Sequence, residues 1–226
     1  DLKPNRIEAL KRVAAQFIQQ RASDRIGIVV YSGESYTKVP ATTDKSIVLQ
    51  ALKEIRQGEI EDGTAIGMGL GTAINRLKDS KTKSKVIILM TDGVNNTGVI
   101  DPLSAAELAK EYGIRVYTIG IGTNGKALSP VAYNPDGSFQ YDMVPVEIDE
   151  KLLAEISKIT GGKYFRATDN NKLAQIYTEI DKLEKSKIEE LKYYQHQENF
   201  RLWAILALVF LVGEFGLRHT IFRSFV

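Results

Sequence analysis

Two short stretches carry the residue types that would grip a cation. Asp62-Gly63-Thr64 places a hydroxyl just after a turn, and Thr91-Asp92-Gly93 places a carboxylate at the exit of the apolar run Val86-Ile87-Ile88-Leu89-Met90. Oxygen donors of these two kinds suit a hard cation such as Mg²⁺, which takes near-octahedral oxygen coordination. Each stretch alone reads as ordinary, the first as a turn and the second as a strand exit. The chemistry requires both at one edge of one sheet. Asn95 and Asn96 read as residues that shape the loop after Asp92, and Glu61 as solvated.

Composition narrows the alternatives. The 226 residues hold no Cys and two His, His196 and His219. That excludes a disulfide scaffold, a Cys-ligated metal and a thiol nucleophile, and it leaves a metal-assisted hydrolase without a positioned histidine base. Lys+Arg 30 against Asp+Glu 28 gives a net charge of +2, so no overall field draws the chain to nucleic acid. Gly67-Met68-Gly69-Leu70-Gly71 is not a dinucleotide fingerprint, because it follows a polar segment rather than a strand and the sixth position is Thr72. These glycines are expected to let a helix pack closely on the sheet.

The elements that position Thr64 and Asp92 follow from periodicity. Pro4 suits a first helical turn, and Ile7, Leu10, Val13, Ala14, Phe17 and Ile18 recur on one helix face. Ile26–Tyr31 reads as a strand ended by Ser32-Gly33, and Asp44 as the cap of a helix through Lys45–Ile55. A helix follows Thr64, carrying Ile66, Leu70, Ala73, Ile74 and Leu77. Val86–Met90 shows no polar alternation and is expected to be buried on both faces. Asp101-Pro102 opens a helix that Gly113 ends, and Ile114–Ile119 is the next strand. Asp149 caps a helix that stops at Gly161-Gly162, and Lys163–Arg166 is a short final strand. From Ile26 onward the order β-α-α-β-α-β-α-β-α predicts a doubly wound, mostly parallel α/β sheet with helices on both faces. Residues 126–147, with Pro130, Pro135, Pro145 and an Asn134-Pro135-Asp136-Gly137 turn, read as an inserted hairpin or loop. The insert leaves the same rim as Asp92 and is expected to flank the cation and help choose the partner.

Taken in order, Asp62-Gly63-Thr64 and Thr91-Asp92-Gly93 resemble the second and third parts of the metal-ion-dependent adhesion site of von Willebrand factor type A (VWA) domains. Ile26–Gly33, Pro40–Asp44, Ile119–Gly122 and Gly161–Phe165 also resemble segments of that family, so the likeness covers roughly residues 1–170. It implies a VWA, Rossmann-like fold in which Thr64 touches the metal directly and Asp92 acts directly or through water. An acidic side chain of a protein partner would take the vacant position. The family's first motif, Asp-x-Ser-x-Ser after a first strand, is not found in Asp1-Leu2-Lys3-Pro4-Asn5-Arg6 or after it. The expectation is that this motif and strand lie upstream, and that Mg²⁺ or another divalent cation binds this chain weakly or not at all.

Beyond residue 170 the character changes. Charged residues alternate with Leu173, Ile176, Ile180, Leu183, Ile188 and Leu191 at near-helical spacing. Leu202–Gly213 is twelve residues without a charge, and the apolar run continues past Glu214 to Phe222 with Arg218 and Arg223 beyond. This predicts a transmembrane helix, with Trp203 and Arg201 at one interface and basic residues on the cytoplasmic side. The expected organisation is therefore 1–181 a VWA-like domain lacking its first strand, 182–201 a charged juxtamembrane helix, 202–222 a transmembrane helix and 223–226 a short basic tail. This layout resembles the membrane-anchored VWA proteins of bacterial aerotolerance (Bat) operons, of the BatA type. The resemblance implies a non-enzymatic binding module in the bacterial inner membrane, with the VWA domain periplasmic and the C-terminus cytoplasmic. It also implies a protein partner, other Bat-operon membrane proteins and a MoxR-type AAA+ ATPase among the candidates, and a role in envelope stress tolerance. The alternative is a metal-independent scaffold of a membrane complex.

Overall fold

Asn5 begins the first ordered helix: its side chain accepts the Glu8 N–H at 2.8 Å, capping α1 (Arg6–Gln20). The cap is thus Asn5, and Pro4 lies outside the described residues. The computed structural model describes residues 2, 5–21, 23–56, 58–82, 84–122, 125–133, 139–146, 148–193 and 200–220. After α1 come β1 (Ile26–Tyr31), β2 (Ser35–Thr42), α2 (Lys45–Glu54), α3 (Ile66–Leu77) and β3 (Val86–Thr91). Then follow α4 (Pro102–Glu111), β4 (Arg115–Ile121), β5 (Gly125–Tyr133), β6 (Phe139–Val146), α5 (Glu150–Ile159), β7 (Tyr164–Ala167), α6 (Asn170–Tyr193) and α7 (Phe200–Thr220).

β3, β4 and β7 form a parallel sheet in the order β3-β4-β7, with Val86 opposite Arg115 and Thr91 opposite Gly120. β1 pairs antiparallel with β2, an element absent from the sequence reading. The sequence reading assigns no element to Ser35–Thr42, because Pro40 and the polar residues of this stretch obscure its alternation. β2 pairs only with β1 among the described residues, and an edge strand tolerates proline. β5 and β6 form a hairpin within the segment set apart as an insert.

Parity along β3 shows why the sheet is covered twice. Ile87 and Leu89 enter a core with Ile66, Leu70 and Ile74 of α3, Ala105 and Ala109 of α4, and Leu153 and Ile156 of α5. Met90 points the other way, where its sulfur lies 3.1 Å from the Tyr177 hydroxyl of α6, and the Tyr177 ring packs against Phe17 of α1 in a tilted contact with centroids 4.8 Å apart. The expectation that β3 is buried on both faces needs correction: Val86, Ile88 and Met90 are only partly buried. Three helices, α3, α4 and α5, pack on the Ile87–Leu89 face, whereas the opposite face meets Tyr177 of α6 at Met90 and is covered less completely. Ile66, Leu70 and Ile74 fall four residues apart and are at most 1% exposed. Each such side chain contributes about 1.5–3 kcal/mol by burial. A second cluster, including Ile18, Val39, Val48 and Leu52, joins α1 and α2 to the β1–β2 ribbon.

The chain divides into two compact units, Asp1–Lys182 and Leu183–Val226. In the second, α7 is continuous, and Ile205, Leu208, Phe210, Leu211, Val212 and Phe215 are all more than 60% exposed. Among the described residues no helix is long and apolar enough to cross a membrane. Glu214 and Arg218 interrupt the apolar run of α7.

Candidate metal centre

Parallel strands deliver their carboxyl ends to one rim, and Asp92 follows β3 at that rim. Thr64 reaches it from the loop before α3. A methyl group placed on Gly93 would come 3.0 Å from the Thr64 hydroxyl oxygen, so the hydroxyl lies against the residue after Asp92. Residues 28 positions apart therefore converge as neighbours at one edge.

Asparagines hold the two loops in register. The Thr64 N–H donates to Asn96 Oδ1 at 2.8 Å, the Ile66 N–H to Asn95 Oδ1 at 2.8 Å, and the Asn96 N–H to the Thr64 carbonyl at 3.1 Å. α3 needs this help because its N-cap, Ala65, has no side-chain acceptor for the first-turn donors. The sequence assigned both asparagines to shaping the loop after Asp92; the structure adds that Asn95 caps α3 from across the rim while Asn96 ties that loop to Thr64. On the far side, the Tyr31 hydroxyl at the end of β1 donates to the Met90 carbonyl at 2.6 Å. Burial holds that hydroxyl strongly protonated by raising its pKa.

Arg6 is the residue that sequence reasoning missed. Its Nη1 lies 3.1 Å from Asp92 Oδ2, and the Asp92 side chain is 57% exposed. A contact spanning 86 residues leaves no periodic signal. The donor set at the rim, a hydroxyl and a carboxylate, fits a hard cation in kind. In number it supplies only part of an octahedral shell. Among the described residues no three His, Asp or Glu side chains gather elsewhere to hold a metal. Thr97 adds a buried hydroxyl oxygen with no hydrogen-bond partner, 2.7 Å from where a Gly63 Cβ would stand. The β5–β6 hairpin starts four residues after β4 ends, just beyond this same rim.

A parallel sheet covered on both faces, with Asp-Gly-Thr and Thr-Asp-Gly meeting at its carboxyl rim, agrees with what residues 3–179 match: the von Willebrand factor type A domain. The chain belongs to this family. An uncharacterized protein of Borreliella burgdorferi is 32% identical over 166 residues, covering 74% of this chain and 48% of that relative. The chain spans about half the length of the curated relatives it matches. BatB of Bacteroides thetaiotaomicron has a similar structure at 29% identity and a TM-score of 0.68, over 82% of this chain and 91% of that one. An aerotolerance-related membrane protein of Bacteroides fragilis superposes at 25% identity and a TM-score of 0.65, over 78% and 88% of the two chains. VWA domains of this kind are binding modules rather than enzymes, and the chain is related to aerotolerance-associated proteins.

Proposed function

We propose that this VWA chain is a membrane-anchored module that recruits a protein partner through a divalent cation at the Thr64–Asp92 rim. The observation that carries the reading is the Thr64 hydroxyl lying against Gly93, beside a half-exposed carboxylate at a strand's carboxyl end. Thr64 would ligate the cation directly, Asp92 would balance its charge directly or through water, and Asn95 and Asn96 would hold the two loops at a fixed separation. Mg²⁺ is the cation favoured by all-oxygen ligation. An acidic side chain of the partner would complete the shell, and the β5–β6 hairpin would border the contact.

Anchoring belongs to the same proposal. Residues 202–222 would enter the bilayer as a helix, with Arg218 and Arg223 snorkelling to the far interface. Support comes from the exposed apolar side chains of α7 and from the likeness to an aerotolerance-related membrane protein. With the basic tail on the cytoplasmic side, the VWA unit would face the periplasm of a bacterial inner membrane. Partners of the BatA type, Bat-operon membrane proteins and a MoxR-type ATPase, belong to this proposal as well.

One observation favours a second reading. Arg6 already compensates the Asp92 charge at 3.1 Å, which a metal-independent scaffold would retain. Affinity capture of partners with the chain in membranes separates the two. Recruitment lost with EDTA and with Asp92→Ala supports the cation. Recruitment indifferent to both supports the scaffold.

A further inference from the structure

The pole opposite Asp92 carries its own pattern. β3, β4 and β7 all begin there, since the Arg115 N–H donates to the Lys85 carbonyl at 2.9 Å and the Thr118 N–H to the Lys163 carbonyl at 3.2 Å. The α3–β3 connection at this pole reads Lys78-Asp79-Ser80-Lys81-Thr82-Lys83-Ser84-Lys85. Lys78, Lys81 and Lys85 have no carboxylate partner among the described residues. Lys158, exposed in the last turn of α5, joins them. Against these stand Asp79 and Glu111, both exposed. The Asp92 rim has the opposite character, with Glu61, Asp62, Asp92 and Asp101 exposed.

The first unit also ends at the basic pole. α6 runs back from the end of β7, and its Glu179 pairs with Lys163 at 2.5 Å while Asp181 pairs with Arg21 at the end of α1 at 2.7 Å. Lys182 closes the unit, and the polypeptide that continues to the apolar α7 departs from here. Lysines that merely complemented helix carboxyl termini would sit in last turns. Lys81 and Lys85 lie beyond α3, on the connection itself.

We propose that the lysine-rich α3–β3 connection, at the amino-end pole from which α6 leaves the domain, docks on anionic phospholipid headgroups. The domain then stands with this pole on the bilayer and holds the Thr64–Asp92 rim away from it, towards partners. The inference goes beyond the cation reading and does not need a cation at Thr64. It favours lipid over a soluble polyanion because the chain leaves towards its apolar helix from this same face. Each lysine near an anionic surface strengthens binding by about fivefold, so three act together by about a hundredfold.

The test uses the full chain, which has no Cys, so a single introduced thiol reports one site. Thr82→Cys marks the basic pole, and Val99→Cys, 93% exposed, marks the Asp92 rim. Each labelled chain is mixed with phosphatidylcholine vesicles and with vesicles containing about a third phosphatidylglycerol, all carrying a headgroup quencher. The expected result is quenching at position 82 and not at 99. It should require phosphatidylglycerol, fall with salt, and disappear in K78Q/K81Q/K85Q, whose circular dichroism melt stays that of the parent. A chain that floats with both vesicle types but shows equal quenching at the two positions overturns this inference and leaves the α7 anchor standing. A chain that floats only with phosphatidylglycerol, with quenching at 82, supports it while the anchor fails; floating with neither overturns both. Salt-sensitive capture on heparin without any response to phosphatidylglycerol assigns the lysines to a soluble polyanion and overturns the lipid docking.

Discussion

Asn95→Ala is the sharpest probe of how the rim is held together. Asn95 Oδ1 accepts the Ile66 N–H at 2.8 Å, and Ile66 is fully buried as the first residue of α3. Ala65 offers no side-chain substitute. Removing the acceptor leaves a buried donor unpaired, which costs about 1–3 kcal/mol. In a domain of this size that lowers the melting temperature by about 2–12 °C. Asn96→Ala is the control: it removes the acceptor of the Thr64 N–H, at a position only partly buried, and should cost below about 1 kcal/mol. The assay is guanidinium unfolding followed by tyrosine circular dichroism, because the single tryptophan, Trp203, lies on α7 outside the domain. A loss for Asn95→Ala below about 0.5 kcal/mol, or one equal to that of Asn96→Ala, would refute the claim that Asn95 caps α3 across the rim.

Other consequences are as direct. A Cβ at Gly67 would stand 2.0 Å from the Ile100 carbonyl oxygen, so Gly67→Ala forces the approach to α4 away from α3. The expected cost is about 3 kcal/mol or more, read from the melting temperature, and an unchanged melt would contradict the close approach. Three exposed N-cap aspartates titrate below the ordinary carboxylate range: Asp44 through its hydrogen bond from the Ser46 side chain, Asp101 through the Ser104 N–H and Asp169 through the Lys172 N–H. A lowered native pKa means stability that is present above the ordinary value and lost as pH falls through the native one. Melting temperature should therefore hold from neutral pH to about 5 and fall below about 4, and Asp101→Asn, which keeps the cap, should flatten part of that fall.

Much of the scaffold was legible because its signals are local. β1, β3 and β4 are runs of β-branched residues, and Asp44, Asp101 and Asp149 each cap the helix expected after them. Of the α3 glycines expected to let the helix pack on the sheet, Gly69 does so against the Tyr31 ring of β1, whereas Gly67 and Gly71 pack against Ile100 on the approach to α4. β2 escaped because Pro40 and its polar residues mask the period of an edge strand. The partial exposure of β3 escaped because an apolar run says nothing about how completely each face of its strand is covered. At the site, the types and order of Thr64 and Asp92 were readable, whereas Arg6 was not. Its pairing with Asp92 depends on where α1 starts relative to the rim, which is a property of packing rather than of spacing.

The most direct measurement of the central claim is a Mn²⁺ titration of the isotope-labelled chain followed by amide NMR, since paramagnetic broadening registers even weak occupancy. The account predicts broadening centred on Thr64 and on Asp92–Gly93, abolished by Asp92→Ala and competed by Mg²⁺. Broadening centred elsewhere, or unchanged in Asp92→Ala, would contradict it.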